Sequence, residues 1–162
     1  MFFRISVAAV AASMILLAGC GNHPASDSIK AFTIALADSS WTEAWELMTP
    51  ETQAAWDSTA VVMQRFGYTE CSGYLQSLSV PVTEEEFAEL TGELLFTRMV
   101  QSSSEASELS CAVREVETVD SLTVLVRIAT SEGDQIIPAR LHSGRWLLDL
   151  TTLTPPPEPL LE

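Results

Sequence analysis

Leu122-Thr123-Val124-Leu125-Val126-Arg127-Ile128-Ala129-Thr130 has a period of two, with Leu122, Val124, Val126 and Ile128 on one face. That alternation is the signature of a strand with one buried side. The flanking segments Cys111 to Val119, Gln135 to His142 and Arg145 to Leu150 continue it. Asp120-Ser121, Glu132-Gly133-Asp134 and Ser143-Gly144 supply reversals between neighbours. The last third of the chain is therefore expected to be an antiparallel meander of about four strands. Pro138 lacks a ladder donor, which predicts an edge position or a bulge for its strand.

Upstream the period changes to that of a helix. Asp27 or Ser28 can cap a first helix carrying Ile29, Phe32 and Leu36 on one side, ending near Ala37-Asp38-Ser39. Ser40 with Glu43 reads as a capping box for a short second helix, in which Trp41, Ala44, Trp45 and Met48 recur at i, i+3, i+4 and i+7. Thr49-Pro50 pairs a cap with a first-turn proline ahead of a third helix bearing Trp56, Ala60, Met63 and Phe66, which Gly67 can end. From Tyr68 to Val82 the pattern weakens, and a loop with one strand around Tyr74 to Val80 is expected. Thr83 and Glu86 form a second capping box, opening a helix with Phe87, Leu90 and Leu94 inward and Glu85, Glu89 and Glu93 outward. That helix is expected to fade in Gln101-Ser102-Ser103-Ser104.

Helices first and a meander afterwards give an α+β class, with the sheet covering the helices, in a single domain over residues 28–153. Two stretches carry a family resemblance. Ile29-Lys30-Ala31-Phe32, Leu36-Ala37-Asp38 and Trp41 to Glu51 look like the opening of the nuclear transport factor 2-like superfamily, and Ser143-Gly144-Arg145-Trp146-Leu147-Leu148-Asp149-Leu150 looks like its last hairpin. The resemblance covers about the first and last 40 residues of the domain, and residues 68–110 depart from it. It implies a strongly curved sheet wrapped round helices as a cone with an apolar pocket. Isomerases, dehydratases and non-catalytic binders all share that cone, so the fold assigns no reaction.

The pocket, if open, would be lined by Phe32, Trp41, Trp45, Trp56 and Phe66, whose rings offer stacking surface. The competing reading makes the same rings core between helices and sheet. The titratable groups available to an enzyme are His142, Asp149, Tyr68 and Tyr74, none at the spacing of a catalytic motif. No Gly-x-Ser-x-Gly elbow and no glycine-rich phosphate loop occurs. The reading is non-enzymatic, without a cofactor. The cluster Glu84, Glu85, Glu86, Glu89 and Glu93 lacks the looped oxygen cage of a calcium site and reads as a solvated helix face. No Cys-x-x-Cys or paired histidines point to a metal.

The N-terminus gives an address. Met1-Phe2-Phe3-Arg4, an apolar run from Ile5 and then Leu17-Ala18-Gly19-Cys20 resemble a bacterial lipoprotein signal peptide with its lipobox. The run is shorter than the roughly 20 residues that span a bilayer. The resemblance implies that residues 1–19 are removed and that Cys20 carries two or three acyl chains, enough for a stable anchor. Residues 20–27 then hold the lipidated Cys and a polar tether in which His23 is unstructured, and the Pro-rich tail 154–162 is extended. The location implied is the exported side of the cell envelope, with Gly21 leaning toward the outer membrane where a cell has two.

Eight basic residues against 22 acidic ones, a net charge of −14, repel phosphate backbones and anionic headgroups. Nucleic acid is excluded as a partner on that ground, and the domain is expected to stand off the bilayer. With Cys20 acylated, Cys71 and Cys111 remain as a pair that would oxidise outside the cytoplasm. Their bridge would close a loop of about 40 residues, worth roughly 4 kcal/mol if unstrained; the alternative is two separate buried thiols. Two functional classes follow: a lipid-anchored binding module holding a small apolar ligand, and an envelope interaction or assembly protein acting through its sheet face or tail, with homodimerisation through the sheet as one form.

Overall fold

The computed structural model describes residues 23–103, 112–130 and 133–152. Six helices precede four strands: α1 (Pro24–Ala37), α2 (Trp41–Glu46), α3 (Pro50–Phe66), α4 (Tyr68–Ser77), α5 (Glu84–Ala88) and α6 (Gly92–Ser102), then β1 (Ala112–Thr118), β2 (Thr123–Thr130), β3 (Gly133–His142) and β4 (Arg145–Leu148). The strands form one antiparallel sheet in the order β1-β2-β3-β4. The chain is thus α+β, as the change of period indicates.

Val124, Val126 and Ile128 turn inward, each no more than 3% exposed, and meet Ile29, Met48, Met63, Leu95 and Leu148 in a continuous core. Burying one such aliphatic side chain is worth about 1.5–3 kcal/mol. Leu122, expected on the same face, is 57% exposed because it lies one residue outside β2. The free edge of β4 is covered from the other end of the chain. Met48 bridges Leu148 in parallel, Leu148 N–H donates to the Leu47 carbonyl at 2.8 Å, and Thr49 N–H donates to the Leu148 carbonyl at 2.9 Å. The turn between α2 and α3 therefore serves as a fifth, minimal strand.

Pro138 lies in an inner strand, yet its missing donor costs little. Its carbonyl accepts Asp149 N–H at 2.9 Å, so its nitrogen also faces β4, past the Ala139–Leu148 pair where that ladder ends. The irregularity in the sheet falls instead in β1, between Val113 and Glu115.

Local chemistry explains several helix ends. Thr49 Oγ1 accepts Thr52 N–H, and Pro50 opens α3. Gly67 ends α3 at φ 92°, a conformation that glycine adopts without a Cβ penalty. Thr83 and Glu86 form the reciprocal capping box at α5. Ser40 caps α2 by position only, with no side-chain hydrogen bond, so no capping box forms there.

Three expectations are corrected. Helix α1 begins at Pro24, not after Ser28, because His23 is an ordered N-cap: its Nδ1 accepts Ala25 N–H at 3.2 Å and its ring meets Trp146 edge-on at 4.9 Å. Residues 68–77 are helix α4 rather than loop and strand. Cys71 and Leu75, one turn apart, are buried against the core, and packing overrides the weak helix propensity of Thr69, Ser72 and Gly73. The helix foreseen from Thr83 onward is two helices. Its chain breaks at Glu89–Thr91, and Thr91 caps α6 by accepting Leu94 N–H. The break lets Gly92 meet α3 at backbone contact, where its N–H donates to Asp57 Oδ1 at 2.9 Å.

Candidate functional site

The outer face of the sheet, away from the helices, is built by the residues that alternate with the core. The register sets Glu117, Leu125 and Pro138 in one row, Glu115, Arg127 and Ile136 in the next, and Thr123, Arg140 and Leu147 in a third. Leu125, Ile136, Pro138 and Leu147 form an apolar band across β2, β3 and β4. Charge flanks it: Arg127 Nε lies 3.4 Å from Glu115 Oε2 across the strands, and Glu117 stands beside them. Leu125 and Ile136 with Glu115, Glu117 and Arg127 line a shallow depression. Ile136 is 42% exposed, a level that core aliphatics of this sheet never approach. Such a surface can dock a partner; it presents carboxylates and guanidinium but no nucleophile with a base beside it.

The titratable groups weighed for catalysis are spread through the structure. Asp149 is 4% exposed. Burial pushes its carboxyl up, but the Thr151 hydroxyl at 2.6 Å, the Thr151 N–H and Arg140 Nε at 2.8 Å outweigh burial and hold it below the usual carboxylate range. It is consumed in a structural lock at the end of β4. The neighbouring Leu150 N–H donates to buried Thr52 Oγ1 at 3.0 Å, pinning the same end to α3. His142 Nε2 stands 3.9 Å from Glu51 Oε1, at the opposite end of β4. Tyr68 and Tyr74 are on α4, Tyr68 edge-on to Phe87 with its hydroxyl donating to the Val82 carbonyl, and Tyr74 raised by burial.

The five aromatics expected at a pocket separate into different settings. Trp56 is 3% exposed and meets Phe96 edge-on at 5.7 Å. Trp45 reaches the same Phe96 ring at 5.9 Å, and Phe32 and Trp41 pack half-buried against the core. Phe66, at the end of α3, is exposed. Phe96, which joins two of these rings, was not foreseen; its place at i+9 from Phe87 carries no signal across the helix break. The outer band was legible in part, since Leu125 and Ile136 are aliphatic at positions that alternation turns outward.

Cys71 is a free, buried thiol whose Sγ donates to the Met63 carbonyl at 3.5 Å, and burial, with a smaller contribution from the Glu70 charge, pushes it up. Cys20 and Cys111 lie outside the described residues, as does the tail. Among the described residues no group of three His, Cys, Asp or Glu is placed to hold a metal ion, and no helix is long and apolar enough to cross a membrane. No family model, no curated protein and no solved structure matches the chain.

Proposed function

We propose that the chain is an exported protein, anchored by acyl groups on Cys20, whose domain is a non-catalytic interaction module of the nuclear transport factor 2-like kind, working through the outer face of its sheet. The observation that carries this reading is the outward band of exposed Ile136 with half-buried Leu125, Pro138 and Leu147, and Glu115, Glu117 and Arg127 beside it. An apolar centre edged by charge is the general anatomy of a protein-binding surface. Helices before a four-stranded meander support the cone. The second reading, a small apolar ligand held between helices and sheet, is weakened by the contact of Trp45 and Trp56 with the same Phe96 ring, which spends their surface on packing.

A photo-crosslinking side chain at position 136 of the full-length protein in its own membranes tests the module. A discrete protein adduct at 136 and none at Val61, exposed on α3, supports it. Crosslinking at neither position, together with a small molecule retained in native mass spectrometry, would replace it with the ligand reading. The anchor is tested separately: Cys20→Ser should move the protein from the membrane to the soluble exported fraction, and a lasting membrane fraction would remove it. The Cys71–Cys111 bridge is a separate proposal: Cys71 stands here as a free thiol on the Met63 carbonyl, a contact that a bridge would have to replace. Because Cys71 is buried, alkylation must be done in denaturant, where resistance to labelling until reductant is added marks the bridge.

A further inference from the structure

We infer that one end of the domain, carrying the β1–β2 turn and the β3–β4 turn, is a docking surface for the lipid bilayer, with Val119 and Leu122 as the inserting side chains. The inference rests on the lipid-anchor reading of Cys20. From Cys20 to His23 the chain has three peptide steps, which span at most roughly 10 Å. His23 is held to the fold by its N-cap bond and by the Trp146 ring at 4.9 Å. The anchor therefore fixes not only the distance of the domain from the membrane but which end of it faces the lipid.

That end is defined by a short series of contacts. Ser28 Oγ donates to the Trp146 carbonyl at 2.7 Å, fastening α1 to the start of β4. Trp146 pairs with Leu141 across β3 and β4, and Leu141 N–H donates to the Leu122 carbonyl at 2.8 Å. Leu122 is thus two strand spacings, about 10 Å, from the tryptophan beside the tether. Val119 and Leu122 are 56% and 57% exposed, next to Ile34 the most exposed large aliphatics of the described residues. A turn usually carries polar residues, and here two large aliphatics flank Asp120-Ser121 at the end nearest the anchor. Asp120 lies between them with its Oδ1 turned back to accept Leu122 N–H at 2.7 Å, so its carboxylate belongs at the headgroup level while the two aliphatics reach deeper. Arg145, exposed at the start of β4, sits at the same end and can reach the headgroups, while Trp146 beside it packs half-buried against the core and the His23 ring. His142 at the same end has Glu51 Oε1 3.9 Å from its Nε2.

Two aliphatic side chains would not hold a chain of net charge −14 on a membrane by themselves. Tethering makes the contact intramolecular, so a weak local affinity suffices to set orientation. The domain then does not stand off the bilayer in all orientations, as its charge alone suggests, but rests on this end.

The test uses the full-length acylated protein reconstituted into phosphatidylethanolamine and phosphatidylglycerol vesicles with or without brominated acyl chains, which quench nearby tryptophan. Leu122→Trp is compared with Asp134→Trp at the far end of the sheet, each read against the parent chain. Both positions are exposed, and thermal unfolding close to the parent's confirms that the variants fold. The added fluorescence at 122 should be quenched several-fold more than that at 134, and Val119→Asp in the Leu122→Trp chain should remove most of the difference. Equal quenching at the two positions, with protein still floating with the vesicles, overturns the docking surface and leaves the anchor standing. Protein that does not float with vesicles overturns the anchor and the docking surface together, and flotation reports this independently of fluorescence.

Discussion

Gly92→Ala should be among the most damaging one-carbon changes in this domain. A Cβ at Gly92 would lie 2.5 Å from the Asp57 backbone nitrogen, 2.5 Å from Asp57 Oδ1 and 2.7 Å from the Trp56 carbonyl carbon. Real carbon contacts settle near 3.5–4.0 Å, so α6 must withdraw from α3 by about 1 Å at its first turn. Two of the three atoms are helix backbone, which no side-chain rotation relieves. Withdrawal lengthens the Gly92 N–H to Asp57 Oδ1 bond and loosens Leu95 and Phe96 against Trp56 and Ala60. Overpacking of this kind costs about 1–3 kcal/mol, and the weakened hydrogen bond adds about 1 kcal/mol. A loss of about 2–4 kcal/mol at roughly 4 °C per kcal/mol lowers Tm by roughly 8–16 °C. Gly73→Ala is the matched control. Gly73 lies inside α4, a Cβ there meets nothing within 4 Å, and its replacement should raise stability by about 0.5–1 kcal/mol through helix propensity. Thermal unfolding followed by circular dichroism on the soluble domain reads both. A Gly92→Ala protein melting with the parent, or above it, would refute the close approach of α6 to α3.

Asp149→Asn should destabilise by about 1–3 kcal/mol, because the amide keeps one oxygen for Thr151 but sets an NH2 donor against Arg140 Nε–H and removes the charge opposite it. The Asp149 carboxyl is held below its usual range in the fold, so its contribution is present above the unfolded-state value and is lost as pH falls through the folded one. Melting curves of parent and variant should therefore differ at neutral pH and converge in strong acid; a gap that widens on acidification would reverse the assignment. Thr52→Val keeps the shape but leaves Leu150 N–H without its buried acceptor, and chemical denaturation should show a loss of about 1–3 kcal/mol. Thr83→Ala removes the capping box of α5 and should cost about 1 kcal/mol by the same assay, with no change if the box is dispensable.

What could be read from the sequence was whatever is decided within a few residues. Thr49-Pro50, Thr83 with Glu86, Gly67 and the alternation of Val124, Val126 and Ile128 each depend on neighbours one to four positions away, and each stands in the structure. Helix α4 carries no local signal because its residues are poor helix formers held in place by distant packing of Cys71 and Leu75. The break before Gly92 was hidden because Leu90 and Leu94 keep helical spacing across it, while its cause, the backbone of α3, lies 35 residues earlier. The lock at Asp149 depends on Arg140 and the pin at Leu150 on Thr52, 98 positions away, and no spacing rule joins such pairs. As for the site, aromatic residues marked a pocket in the sequence, but aromatics serve core and pocket alike. Leu125 and Ile136, aliphatic at positions that alternation turns outward, are the sequence signal for the band on the outer face.

The two proposed surfaces constrain each other through the geometry of β3. That strand runs from Gly133, at the far end, to His142 beside the tethered end. At about 3.3 Å per residue, Ile136 lies roughly 20 Å along the strand from His142. An end-on domain with Val119 and Leu122 at the lipid therefore holds Ile136 clear of the headgroups, with the strands rising from the membrane rather than lying on it, while Leu147, two residues from Arg145, marks the membrane-proximal end of the band. The Ile136 end of the band is then presented sideways, and the acidic majority of the surface keeps the remainder of the domain from settling onto anionic lipid. If position 136 were instead quenched by brominated lipid as strongly as position 122, the band would itself be the membrane-facing surface, and both assignments would fall together.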